Sequence, residues 1–249
     1  MAIHESARRG FQRGADAYER GRPSYPREAL DWLCARLDLR PGRTVLDVGA
    51  GTGKLTRELV ATGATVLAVE PVAAMRDVLE QVVPEAQAME GTAEALPVQD
   101  SAVDAITVAQ AFHWFDVPRT LAEFHRVLRP GGRFALIWNR RRLEDPLHRG
   151  ISAITEPYHH ETPSHLRGEW REPLAASRLF TEVGELEVPY EHVVDADGVV
   201  DRVASISYIA ALPERERDEV IARVRELAER TPKPRHLAYA TETYVYERR

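Results

Sequence analysis

The sequence predicts an α/β chain in which a doubly wound, mostly parallel sheet of seven strands carries helices on both faces. Three observations lead there. Short β-branched, apolar runs alternate with stretches whose apolar residues recur at helical spacing, and this alternation reaches a fifth strand ending at Trp138. The first run breaks directly into Gly49, Gly51 and Gly53. An acid stands at the end of each of the first two runs, Asp47 and Glu70.

Taken in order, residues 1–10 carry no apolar core of the kind a secretory leader needs. Residues 11–26 mix aromatics, arginines, glycines and prolines without a period, which predicts an irregular arm. Pro26 opens a helix running to Leu37, with Leu30, Leu33, Cys34 and Leu37 turned inward. Cys34 is the chain's one cysteine, which excludes an internal disulfide or a cysteine metal cluster and suits a reducing, cytoplasmic setting. Arg40-Pro41-Gly42 turns into the first strand. Past the glycines, Leu55, Leu59 and Val60 mark a helix, 64–69 the second strand, and Met75, Val78, Leu79 and Val82 the next helix. Residues 86–90 form a weak third strand. The fourth, 102–109, runs straight into Gln110-Ala111-Phe112-His113-Trp114-Phe115-Asp116. A helix with Leu121, Phe124, Val127 and Leu128 on one face then ends at Arg129-Pro130-Gly131-Gly132, and 133–138 is the fifth strand.

What the glycine loop receives follows from its neighbours. Glycine allows the sharp turn from strand to helix and the close approach of a ligand to backbone. The G-x-G-x-x-G spacing of dinucleotide sites is missed, because position 54 is Lys, and Gly53-Lys54-Leu55 is not the end of a phosphate loop. Asp47 would repel phosphate and favour a cation. Glu70 lies 17 positions after Gly53, the length of one helix and one strand, where a carboxylate can accept both ribose hydroxyls of a nucleoside.

The stretch Val45-Leu46-Asp47-Val48-Gly49-Ala50-Gly51-Thr52-Gly53, with Glu70, resembles the opening motifs of the Rossmann-like, class I S-adenosylmethionine (SAM)-dependent methyltransferases. Gln110-Ala111-Phe112-His113-Trp114-Phe115-Asp116 resembles the matching segment of a small-molecule subgroup that includes the trans-aconitate and UbiE-like enzymes, the methyltransferase type 11 domain. The resemblance spans roughly residues 18–138. It implies one domain over 1–249, with a cofactor-binding core at 26–138, a covering arm and lid at 1–25 and 139–212, and a final helix and strand at 213–249, the last strand antiparallel. It implies SAM as cofactor and S-adenosylhomocysteine (SAH) as product. On the cofactor side it points to Asp47, Gly49, Ala50 and Gly51 in the loop, Glu70 and Pro71 at the ribose, and Met75, Ala93 and Glu94 at the adenine. Gln110 and His113 stand at the tip of the fourth strand. Tyr18, Arg22 and Tyr25 would meet the methionine end, since arginine suits a carboxylate and a tyrosine face suits a sulfonium. Trp114, Trp138, Asn139 and Tyr208 fall on the acceptor side. Plainer readings stand beside these: Met75 as a core methionine, Glu94 as a solvated loop residue, the arm tyrosines as surface packing, and His113 as a packed ring.

The activity implied is in-line methyl transfer to an oxygen of a small molecule. A carboxylate acceptor needs no base, whereas an alcohol or phenol does, and His113 is then the candidate. Arg140-Arg141-Arg142 is expected as a solvated basic loop, although its place past the fifth strand also suits an anionic acceptor. His159, His160 and His165 lack acidic or cysteine partners at ligand spacing, so no metal is expected. Residues 184–194 predict a sixth strand. Val199, Val203, Ile206, Ile209 and Ala210 share one helical face, with Ser205, Ser207 and Tyr208 pointing elsewhere. A helix over 214–230 with Val220, Ile221, Val224 and Leu227 inward precedes the seventh strand, 238–246. A formal charge of -6 argues against a general nucleic-acid or anionic-membrane binder, and no apolar run approaches the roughly 20 residues of a membrane span. The expected partner is a small-molecule acceptor, bound by a monomer or homodimer. Two other readings compete. A NAD(P)-dependent oxidoreductase on a related sheet is opposed by the missing third glycine, and a non-catalytic SAM-binding protein by the aromatic cluster and the long tail.

Overall fold

Parallel strands that are apolar on both faces must be covered by helices on both, and the chain folds accordingly. The computed structural model describes residue 15 and residues 17–160 and 162–249; the expectations for 1–10 and for the arm's first residues, 11–14, lie outside them. Strands β1 (Thr44–Val48), β2 (Thr65–Val69), β3 (Gln87–Met89), β4 (Val103–Ala109), β5 (Leu128–Arg141), β6 (Phe180–Val194) and β7 (Arg235–Arg248) form one sheet ordered β3-β2-β1-β4-β5-β7-β6. The first five are parallel, and β7 runs antiparallel to both β5 and β6.

The helices are α1 (Arg27–Arg36), α2 (Thr56–Val60), α3 (Ala73–Val82), α4 (Val117–Val127), α5 (Pro146–Thr155), α6 (Arg171–Ala176), α7 (Ala196–Ala204), α8 (Ser207–Ala210) and α9 (Glu214–Arg230). One face of the sheet packs an aromatic layer of Phe112, Phe124, Phe134, Trp138 and Trp170. The opposite face is covered by Leu30, Leu33, Leu55 and Leu59. A third layer is built from α5, α7 and α9 around Val199, Val203, Val220 and Val224, and it rests on Leu237 and Tyr239 of β7. It packs against the start of β7, beside the end of β5, and its helices α5 and α7 fall in the segment expected as a lid.

Two expectations are corrected. Arg140 and Arg141 are not a solvated loop: β5 continues past Trp138 because β7 keeps pairing with it as far as Arg141, opposite Tyr239. The strand also begins earlier, at Leu128, and absorbs the predicted turn with Gly131 in a left-handed conformation, φ +74°. The helix read from Val199 to Ala210 is broken. α7 ends at Ala204, Ile206 is extended, and α8 restarts at Ser207. The physical cause is Ser205, whose hydroxyl donates to the Arg202 carbonyl (2.7 Å) and accepts from Arg22 Nε (3.0 Å). Ser205 and Ser207 are therefore buried rather than turned outward.

Candidate active site

Strand order reverses between β1 and β4, and ligands of open α/β sheets bind at such a switch point. There the glycine loop is tied to β2, since the N–H groups of Gly49 and Ala50 both donate to the Val69 carbonyl (2.8 and 3.2 Å). Gly49 has φ +69°, and a Cβ on it would lie 2.9 Å from that of Ala111. Gly51 N donates to Glu70 Oε2 (3.0 Å) and Val72 N to Glu70 Oε1 (2.9 Å). Burial pushes the Glu70 carboxyl up to about 7, although these two N–H bonds favour its ionised form. It makes no ion pair among the described residues. A buried, half-neutral carboxyl beside side-chain-free backbone suits hydroxyl donors and not phosphate, so these residues fit an adenosyl group.

Asp47 behaves differently from the expectation. It is fully buried, with Oδ2 accepting from the Thr56 hydroxyl (2.7 Å) and Oδ1 from that of Thr107 (2.8 Å). Burial raises it to about 6 against these bonds. Its carboxylate is closed off from the cavities, and it holds β1, β4 and α2 together beneath the loop. Pro71 is half-buried after Glu70. Met75 is buried against Val72 and Ala15, the core reading. Ala93 is buried in the aromatic layer, and Glu94 Oε1 accepts from Asp116 N (2.9 Å), clipping its turn to the start of α4.

The arm straps the loop to the lid. Glu19 accepts from Thr52 Oγ1 (2.7 Å) and Arg57 Nη2 (2.6 Å) on one side. On the other, Arg20 pairs with Asp201 (2.8 Å) and Arg22 donates to the hydroxyl and carbonyl of Ser205 (3.0 Å each). Gly21 sits between, where a Cβ would lie 2.3 Å from the carbonyl carbon of Asp201. The Tyr18 ring faces Gly51 and lies 4.8 Å from the Arg22 guanidinium carbon. Tyr25 is buried with its hydroxyl bonded to the Gln110 side chain. Gln110 itself is held at φ +59°, an uncommon conformation for a side chain of this kind, at the tip of β4.

Past Gln110 opens a cavity of about 150 Å³. Tyr18, Arg22, Gln110, His113, Trp114, Trp138, Asn139 and Tyr208 all line it. A smaller adjoining cavity adds Tyr25, Lys54 and Tyr239. Asn139 anchors the arm, its amide donating to the Ser24 carbonyl (2.8 Å) and accepting from Thr241 (2.7 Å). His113 is pushed down to about 3 by burial, and further by His165 and Arg22. A ring nitrogen that takes a proton only near pH 3 is a weak base, so the general-base role expected of His113 is not supported.

Sequence reasoning missed the residues that give this cavity its charge. Arg141 and the buried Arg202 join Arg22 around it, and among the described residues no aspartate or glutamate lines either cavity. None of the three pairs with a carboxylate among the described residues. Arg202 Nε donates to the Tyr239 hydroxyl (3.1 Å). Burial, then the charge of Arg202, lowers Arg22 to about 10 and lowers Arg141 as well. Arg140 is already neutralised by Glu242 and by Glu187 (3.0 Å). A signal for Arg202 was present: it sits among Val199, Val203 and Ile206, at the spacing of a buried face. Among the described residues no cluster of three metal-ligating side chains is found, and no helix is long and apolar enough to cross a membrane.

A side-chain-free loop, a buried acid one strand over and a cavity past the next strand tip define a class I SAM-dependent methyltransferase. Comparison with known proteins agrees. A family model described as a methyltransferase domain matches residues 46–136. An uncharacterized methyltransferase of Mycobacterium tuberculosis is 42% identical over 221 residues, 87% of this chain and 84% of the relative. A methyltransferase-like protein of Schizosaccharomyces pombe, also uncharacterized, is 31% identical over 244 residues, 96% of this chain and 95% of the relative. The chain belongs to this methyltransferase family. The YcgJ protein of Bacillus subtilis shares the fold, with a TM-score of 0.56 at 20% identity over 90% of this chain and 99% of that one.

Proposed function

We propose that the chain transfers a methyl group from SAM to an oxygen of a small, anionic acceptor. The observation that carries this reading is the cavity beyond Gln110: its wall includes Tyr18, whose ring faces Gly51 of the Gly51–Glu70 corner, it is lined by arginines, and among the described residues no acid lines it. Glu70 accepts the ribose hydroxyls, Tyr18 and Tyr25 cover the loop, and Arg22 takes the carboxylate of the cofactor's amino-acid tail. When bound, the cofactor supplies a methyl group already activated by its sulfonium. The chain's remaining work is to align the acceptor and exclude water, which in model systems is worth up to roughly 7–11 kcal/mol. Arg141 and Arg202 are left over once Arg22 is assigned. Their charge, set in a protein of formal net charge -6, calls for an acceptor that carries its own negative groups.

Calorimetry with SAH tests the reading. The wild-type chain binds it, and Glu70→Ala abolishes most of the affinity. Equal heats from both proteins, or none from either, would overturn the assignment.

A further inference from the structure

His165 comes from the segment between α5 and α6, and it lines the cavity beside Trp138. Its Nε2 lies 2.8 Å from Glu242 Oε2, on β7. The pair is nine-tenths buried, each side chain 10% exposed. Burial opposes the charge on Glu242, but the hydrogen bonds from His165 and Arg140 outweigh it and hold that carboxyl down at about 2. An ionised carboxylate only accepts, so the proton of this bond sits on Nε2. The neutral ring therefore carries its free lone pair on Nδ1. Nδ1 is buried and has no hydrogen-bond partner among the described residues. The ring is stacked on Trp138 (centroids 4.3 Å apart, planes 12°) and on Trp170 (5.7 Å, 25°), which fixes the plane in which that lone pair lies.

The other two histidines on the cavity wall lack this arrangement. His113 has no carboxylate partner among the described residues, and its charged neighbours, His165 and Arg22, oppose a proton. The Nδ1 of His159 is engaged with the His160 carbonyl (3.2 Å). The groups that face His165 are Glu242 from β7, Arg140 from β5 through Glu242, and His113 from the turn after β4. Tyr244, bonded to both Glu242 (3.4 Å) and Arg171 (2.8 Å), completes the set.

We propose that His165, positioned by Glu242, takes the proton from the acceptor oxygen, and that the acceptor is accordingly a hydroxyl compound, an alcohol, enol or phenol, methylated on that oxygen. This rests on the methyl-transfer reading above and decides between the two oxygens it leaves open, because a carboxylate arrives without a proton to remove. The O–H bond breaks and its proton goes to Nδ1. The oxygen's electron pair makes the new bond to the methyl carbon, and the pair of the old S–C bond stays on sulfur. The imidazolium so formed is held by Glu242 and by the two indole faces. Arg141 and Arg202 then bind a separate anionic group of the same molecule.

The test uses the whole chain saturated with SAH and labelled with ¹⁵N at histidine. The ring whose signals disappear in His165→Gln is expected to show the neutral tautomer with Nε2 protonated and Nδ1 bare. Glu242→Gln is expected to shift that tautomer balance. A ring protonated at Nδ1 throughout, or one unmoved by Glu242→Gln, overturns the proposal without needing an acceptor. In turnover with a hydroxyl acceptor, His165→Gln lowers kcat on the order of 100-fold or more with KM changed only a few-fold, and removes the acidic limb of the pH profile. Transferred methyl label that survives alkali supports an ether, whereas label released as methanol marks an ester and sinks the hydroxyl assignment. Failure to bind SAH at all would instead strike the cofactor reading beneath this one.

Discussion

The two sides of Gln110 are built on opposite chemistry. Toward β1 and β2 the site is backbone amides and buried acids, Glu70 and Asp47, whose carboxyls burial pushes up toward neutrality. Toward β5, β7 and the lid it is arginines and a histidine, and Arg22 and Arg141 are pushed down by burial and by Arg202. The acids on the loop side are satisfied by hydrogen bonds within the fold. On the lid side Arg140 is met by Glu242 and Glu187, whereas Arg22, Arg141 and Arg202 pair with no carboxylate among the described residues. The lesson is one of partners: in the proposed assignment the loop side, complete in itself, receives neutral hydroxyls, whereas the lid side is completed by the anion it binds.

Breaking each side separately sharpens that contrast. The largest effect is expected from Glu70→Ala. Removing a charged acceptor costs about 1.5–3 kcal/mol per hydrogen bond, so loss of the two ribose bonds proposed for it should weaken SAH about 100-fold or more by calorimetry, with the lid side unaffected. Gly21→Ala strikes the strap between the two. Its Cβ would overlap the Asp201 and Arg202 backbone, so the arm must lift, and about 1–3 kcal/mol of stability in urea unfolding should go with roughly 10-fold in SAH affinity. Arg141→Met touches the lid side alone. Binding of a tricarboxylate probe should fall about 10-fold with SAH affinity intact. The urea midpoint should rise at the same time, because a cation without a partner has been removed.

The smallest effect concerns His148, which is buried behind the arginines with its ring 4.8 Å from that of Tyr239. Burial, then Arg202 and Arg141, lowers it to about 3 from 6.5. The unfolded chain takes up this proton below pH 6.5 and the folded chain does not, so the group costs stability as pH falls through that window. His148→Leu removes the cost. The stability difference between variant and wild type should therefore shift toward the variant by about 2 kcal/mol between pH 7 and pH 5, read by urea unfolding at each pH.

The loop side was legible in the sequence and the lid side mostly was not, for a physical reason. Gly49 to Gly53, Asp47 and Glu70 are set by local geometry, a turn and one β-α-β step, which spacing along the chain records. The cavity's other wall is assembled by non-local pairing. Arg141 faces it only because β7 extends β5, and Arg202 only because Ser205 stops α7 beneath the arm. His165 meets Glu242 across 77 positions of sequence, a distance no motif spans. Asp47 shows the converse limit: its place at the strand end was readable, but Thr56 and Thr107 turned an expected contact into a support.

The position of β7 has a consequence for how the molecule is assembled. It follows β6 in the chain yet lies between β5 and β6, so β6 has no edge to join until β7 has been synthesised. Tyr239, Thr241 and Glu242 arrive on that same strand. A chain that folds as it emerges thus has β1, β2 and β4 in hand before β7 can supply the wall formed by Tyr239, Thr241 and Glu242.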